Sequence, residues 1–118
     1  MRTMRFERAG VVLVLFPDSN PTTAKRRPAV VVQANDLRSG LAQAIMAMIS
    51  SNPARAGHPS CVTVTRASRE GRPMGLLTDS VTMADNLATV LDREVERVIG
   101  HCPALALVDA ALRHTLAL

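Results

Sequence analysis

The sequence predicts a small, mainly β, α+β domain of barrel-like shape, built from antiparallel strands with short helices and one longer helix at the C-terminus. Three observations predict it. Apolar runs of strand length recur between polar turns, first at Val11–Phe16 and again at Pro28–Gln33. The segment Cys61–Thr65 alternates apolar and polar residues, the period of a half-buried strand. After Pro103, Leu105, Val108, Leu112 and Leu116 recur at helical spacing, which reads as a core-facing stripe. With 118 residues and 47% hydrophobic content, the chain has room for one domain, 1–118, whose core needs no disulfide or metal staple.

In chain order, Gly10 introduces Val11–Phe16, a buried first strand closed by Pro17. That run is too short for a signal-peptide core or a membrane span, so a cytoplasmic protein away from the membrane is expected. Pro17 to Lys25, PDSNPTTAK, is longer than a hairpin loop and has the composition of a functional loop. It delivers the chain to Lys25-Arg26-Arg27-Pro28. Proline in the first position of a strand loses no needed hydrogen bond and fixes the backbone where Arg27 leaves the loop. Arg27 is the candidate for meeting a phosphate, because its planar fork of donors matches phosphate oxygens. The bland alternative is a solvated basic turn.

Beyond Gln33, Asn35-Asp36 can cap a helical turn beginning at Leu37. Leu37, Leu41, Ile45 and Met48 or Ile49 then recur at helical spacing, yet Gly40 interrupts a helix and Ala42–Ile49 reads equally as a buried strand. Ser50-Ser51-Asn52-Pro53 is a polar turn, and the loop runs on through Gly57, His58 and Pro59. Past the Cys61 strand, Arg66–Pro73 is a charged connection and Met74–Leu77 a short apolar piece. Val81–Ala84 alternates as a strand, Asp85-Asn86 interrupts it, and Thr89–Leu91 resumes it. Asp92 is placed to N-cap a helix over Arg93–Ile99, with Val95, Val98 and Ile99 on one face and Gly100 as its terminator.

The formal charge of +4, with thirteen of fourteen basic residues arginine, favours a polyanionic partner. Phe6 and Phe16 are the only aromatics, which excludes a surface that reads single strands by stacking bases on rings. Cys61 and Cys102 lack C-x-x-C spacing and any sequence-local histidine cluster, so they read as buried thiols in a reducing compartment, with no zinc site expected. His58 reads as solvent-facing, and His101 and His114 as structural or exposed.

Taken together, the strand after Gly10, the long polar loop, Arg27-Pro28 before a β-branched run, Asn35-Asp36, Ile49-Ser50-Ser51-Asn52-Pro53, and the D-S-V-x-x-x-D-N-x-x-T-V segment from Asp79 resemble the MazF/PemK (Kid-like) toxins of type II toxin-antitoxin systems. The resemblance covers roughly residues 8 to 100. It implies an SH3-like or conical β-barrel, and a strand rather than a helix before Ser50. It further implies a homodimer that cuts single-stranded RNA, often mRNA, without metal or cofactor, and that a MazE-like antitoxin neutralises. By the same resemblance Arg27 falls on the catalytic arginine, Ser50 on a position most members fill with threonine, and Asp85 on an aspartate some members use near the reaction centre. Met83 and Ala88 replace arginines found in some members, and Lys25, Arg26 or Arg55 would compensate in binding RNA. Asn52 is a further RNA-binding candidate, through a base edge.

The chemistry these residues would perform follows from RNA itself, which carries its own nucleophile. A ribonuclease needs only to deprotonate the 2′-hydroxyl, stabilise the charge on five-coordinate phosphorus and help the 5′-oxygen leave. Arg27 would supply the electrostatic stabilisation, Ser50 would orient an oxygen, and Asp85 would serve as base, giving a 2′,3′-cyclic phosphate and a 5′-hydroxyl. Each has a structural alternative: Ser50 as a turn cap, Asp85 as the partner of an arginine. The rival functions are a CcdB-like protein-binding poison, against which stands the lack of tryptophan, and an inactive RNA-binding module, for which Met83 and Ala88 speak.

Overall fold

A computed structural model describes residues 6–17, 24–35, 37 and 39–118. Six strands form one antiparallel sheet: β1 (Gly10–Pro17), β2 (Ala24–Val31), β3 (Gln43–Ser50), β4 (Cys61–Val64), β5 (Ser80–Leu91) and β6 (Val95–His101). One helix, α1 (Leu105–Leu116), follows, and the spatial order of the sheet is β4-β5-β3-β2-β1-β6. The mainly β architecture with a C-terminal helix therefore holds. The loop after Pro17 lies outside the described residues from 18 to 23, as do Asp36 of the expected cap and Arg38.

The alternation of strand side chains divides the core in two. Val12, Val14, Phe16, Ala29, Val31, Ala44 and Met46 bury one face together with Phe6 and Val95. Val11, Val30, Ala47 and Ile49 bury the other, against Met74, Leu76 and Val108 of α1. Strands covered on both sides must be apolar throughout, which is why β1 reads as an unbroken hydrophobic run rather than an alternating one. The ambiguous segment before Ser50 is a strand because it pairs with both β2 and β5 in the middle of this sheet. Along α1, Val108 and Ala111 are buried and Leu105 and Leu112 pack partly on the core, whereas Leu116 stands 51% exposed. The stripe is thus core for its first two turns only.

Two expectations are corrected. β2 starts before Pro28, so Arg26 and Arg27 lie within the strand rather than at its mouth. The proline is tolerated because its half of β2 pairs with β1 alone, the pairing with β3 stopping at Ala29–Met48. The second correction concerns Arg93–Ile99, which is no α-helix: after Glu94 it runs as strand β6. The local start signals do form a 3₁₀ turn over Asp92–Glu94, with the Glu94 carboxylate accepting the Leu91 N–H at 3.0 Å. Thereafter the free edge of β1 captures the chain. Two bulges skip one β6 residue each, so that Val14 meets Val95, Leu13 meets Arg97, Val12 meets Val98 and Val11 meets Gly100. Such skips stretch the period of two and imitate helical spacing. Gly100 is no helix terminator: a Cβ there would stand 2.3 Å from the Pro73 carbonyl oxygen, so its role is close backbone approach.

Candidate active site

Register places the two leading residues. β2 and β3 pair through Val31–Met46, Val30–Ala47 and Ala29–Met48, and then part. Continuing the same register would set Arg27 opposite Ser50, so these residues flank the point where the strands separate. Both carry the parity of the first core face: Arg27 alternates with Ala29 and Val31, and Ser50 with Met48 and Met46. Arg27 pairs across β1 with Val14, a fully buried residue, and is itself half-buried. A guanidinium on such a frame has little freedom to relax away from an anion.

Ser50 Oγ accepts the Asn52 N–H at 3.1 Å, and Asn52 Oδ1 accepts the Ala54 N–H at 3.0 Å, which caps the 3₁₀ turn Pro53–Arg55. The turn role expected as the bland alternative for both residues is therefore real. It does not consume Ser50, whose hydroxyl proton and a second lone pair stay available and whose oxygen is now fixed in place.

Asp85 sits where β5 bulges. Met48 pairs with Met83 and Ala47 with Leu87, which leaves Ala84, Asp85 and Asn86 as extra chain between two paired stretches. The interruption legible in the sequence is this bulge within one long strand, and bulges re-aim side chains. Asp85 Oδ2 receives a short charge-assisted hydrogen bond from the Arg55 guanidinium, with side chains 24% and 40% exposed. The Cys61 thiol donates to Asp85 Oδ1 at 3.9 Å. Burial, then the Asp85 charge and this hydrogen bond, push the Cys61 thiol above its usual value, while Arg55 pulls it down. His58 completes the group: one ligand atom each from His58, Cys61 and Asp85 lies within 4.8 Å of the others. Sequence spacing had argued against metal ligands beside the cysteines, and the fold supplies two. The missed signal was H-x-x-C from His58 to Cys61, joined to Asp85 only by folding.

Of the remaining candidates, exposed Lys25 shares the Arg27 face, as its pairing with Phe16 requires. Arg26 has the opposite parity and pairs with Glu96 of β6 at 3.1 Å, both side chains largely exposed. Met83 and Ala88 pack against the first core cluster and so support the sheet. On the opposite face, Leu13, Pro28, Ser51, Leu76, Arg97 and Ile99 line a cavity of about 290 Å³.

Fold and site together define a small antiparallel β domain that presents arginine beside a hydroxyl where two strands part. Comparison with known proteins gives the family: the model of the PemK-like, MazF-like toxins of type II toxin-antitoxin systems matches residues 7–116, and the chain belongs to that family. The endoribonuclease MazF6 of Mycobacterium tuberculosis is 35% identical, with 86% of this chain and 88% of that protein covered. MazF from Deinococcus radiodurans shares the fold at a TM-score of 0.71 and 22% identity, covering 98% of this chain and 100% of that one. A mycobacterial endoribonuclease solved in complex with its cognate antitoxin superposes at 0.70 and 23% identity, with 96% of each chain covered. No helix among the described residues is long and apolar enough to cross a membrane.

Proposed function

We propose that this chain is a toxin endoribonuclease that cleaves single-stranded RNA, mRNA above all, by in-line attack of the 2′-hydroxyl, without metal or cofactor. The observation that carries the reading is the placement of Arg27 and Ser50 on one face at the parting of β2 and β3. The scissile phosphate sits between them. Arg27 bonds the non-bridging oxygens and stabilises the additional negative charge of the phosphorane, an electrostatic role suited to a side chain that stays protonated. Ser50, its oxygen held by the Asn52 N–H, donates its proton to a phosphate oxygen. Asp85 takes the proton of the 2′-hydroxyl once RNA draws Arg55 from it, so that Arg55 exchanges a carboxylate for a phosphate. Lys25, Arg26 and Asn52 contact the flanking strand. The bond from the 2′-oxygen to phosphorus forms as that to the 5′-oxygen breaks, water protonates the leaving 5′-oxygen, and the products are a 2′,3′-cyclic phosphate and a 5′-hydroxyl.

The active form is a homodimer of single-domain chains, each sheet curled into a conical SH3-like barrel, working in the cytoplasm. A cognate MazE-like antitoxin silences it with an acidic, apolar peptide that competes with RNA for the groove beside Arg27.

Incubation of the purified protein with a long RNA in EDTA, beside Arg27→Ala, tests the reading. Cleavage that disappears in the variant supports it; RNA binding without cleavage makes the chain an inactive RNA-binding module, the outcome Met83 and Ala88 favour. A monomer by light scattering at micromolar concentration removes the dimer. An antitoxin peptide that binds while RNA stays fully bound removes the competition.

A further inference from the structure

We propose that His58, Cys61 and Asp85 form a zinc-binding site at the edge of the candidate active site, and that zinc filling it takes Asp85 out of proton transfer.

Three segments converge to make it: the loop after the 3₁₀ turn Pro53–Arg55, the first residue of β4, and the bulge of β5. The first two donors are locked together locally, because the Cys61 N–H donates to the His58 carbonyl at 2.9 Å and closes a turn over 58–61. β4 then holds Cys61 against β5 through the pair Cys61–Met83, two residues before Asp85. The donor atoms already lie within 4.8 Å of one another, and Cys61 Sγ stands 3.9 Å from Asp85 Oδ1. Zinc bond lengths set tetrahedral ligand separations of about 3.4–3.6 Å, so the set needs only a small contraction.

The donor chemistry selects the ion. A thiolate, an imidazole and a carboxylate suit borderline-soft zinc and exclude magnesium and calcium, which take oxygen. The Ser60 N–H donates to His58 Nδ1 at 3.1 Å, which fixes the orientation of the ring beside Cys61. Three protein ligands leave the fourth position to water, the pattern of an open rather than a closed site. His58, Cys61 and Asp85 are all at least partly exposed, and the His114 ring stacks edge-on at 6.4 Å, so ion and solvent have access.

A dication bound to Asp85 Oδ1 takes the carboxylate out of proton transfer, so zinc inhibits RNA cleavage. That consequence, unlike the site itself, rests on the role proposed for Asp85.

The test titrates the metal-free full chain with cobalt(II) as the spectroscopic probe. The expected result is one cobalt per chain, with a thiolate-to-cobalt charge-transfer band and the visible bands of a tetrahedral site, bleached by zinc. Cys61→Ser abolishes the charge-transfer band, and His58→Gln weakens zinc binding at least tenfold, while Cys102→Ala leaves the spectrum intact. A spectrum without a thiolate band, or one unchanged in Cys61→Ser, overturns the site. In parallel, zinc slows RNA cleavage by the unsubstituted chain and fails to slow it in His58→Gln, each compared with its own metal-free rate. Equal inhibition of both overturns the inhibitory role. Should the chain cleave no RNA at all, the nuclease reading fails while the cobalt spectrum still decides the metal.

Discussion

The two halves of the candidate site are built differently. Arg27 and Ser50 are held by strand register, beside residues such as Val14 that are wholly buried, so their placement follows from the packing of the core. Arg55, His58, Cys61 and Asp85 meet through a 3₁₀ turn, a loop and a bulge, and their mutual bonds are partly open to water. A register-held pair cannot rearrange without unpairing a sheet, whereas a loop-held cluster can exchange partners at small cost. Under the proposed mechanism this difference becomes a division of labour: the rigid half would meet the charge that develops during reaction, and in the adaptable half Arg55 would exchange a carboxylate for a phosphate.

The largest test strikes the rigid half. Arg27→Ala lowers RNA cleavage by about 10²–10³-fold, the cost of losing one stabiliser of transition-state charge, with little change in thermal stability. Lysine at the same position restores only part, since it lacks the planar fork. Next, Ser50→Ala lowers the cleavage rate roughly tenfold, the worth of a hydrogen bond to a charged group, while Ser50→Thr keeps the rate because the hydroxyl remains. Retained activity in Ser50→Ala would assign that residue to the turn alone.

Smaller effects are expected in the adaptable half. The Arg55–Asp85 pair is partly exposed, so a double-mutant cycle on stability returns under about 1 kcal/mol. A larger coupling would make this half as rigid as the other. Cys61 reports the same cluster through alkylation at mildly alkaline pH. Asp85→Asn removes a charge that holds the thiol protonated and speeds the reaction, and Arg55→Ala slows it. Smallest of all is the pH effect on stability from Cys102, whose thiol burial pushes above its usual 9.0. Between the unfolded and folded values the native state holds the proton that the unfolded chain releases. Stability therefore falls as pH rises past about 9, a slope that Cys102→Ala flattens.

Much of this was legible in the residues, and the failures share a cause. The run Val11–Phe16, the alternation at Cys61–Thr65 and the helix after Pro103 each carried a signal within one segment, and each element formed. Segment 93–99 carried a helical signal just as good and became β6, because bulged pairing with the open edge of β1 outweighs local preference. The candidacy of Arg27 was visible as a cation before a β-branched run, but its residence inside β2 was not, since a proline inside a strand is acceptable only where one neighbour is missing. The interruption at Asp85-Asn86 was visible; that it re-aims a carboxylate toward Arg55 and Cys61 was not.

By itself the sequence determined what is local: where apolar runs must be buried, which residues turn the chain, and that arginines precede a β-branched run in a pattern shared with one toxin family. Tertiary structure alone decided which distant residues became neighbours. Asp85 reaches His58 and Cys61, and Arg27 and Ser50 come to share one sheet face, because strand pairing fixes register across chain separations that no local pattern spans. Pairing is a property of two segments at once, and a chain read one segment at a time does not contain it.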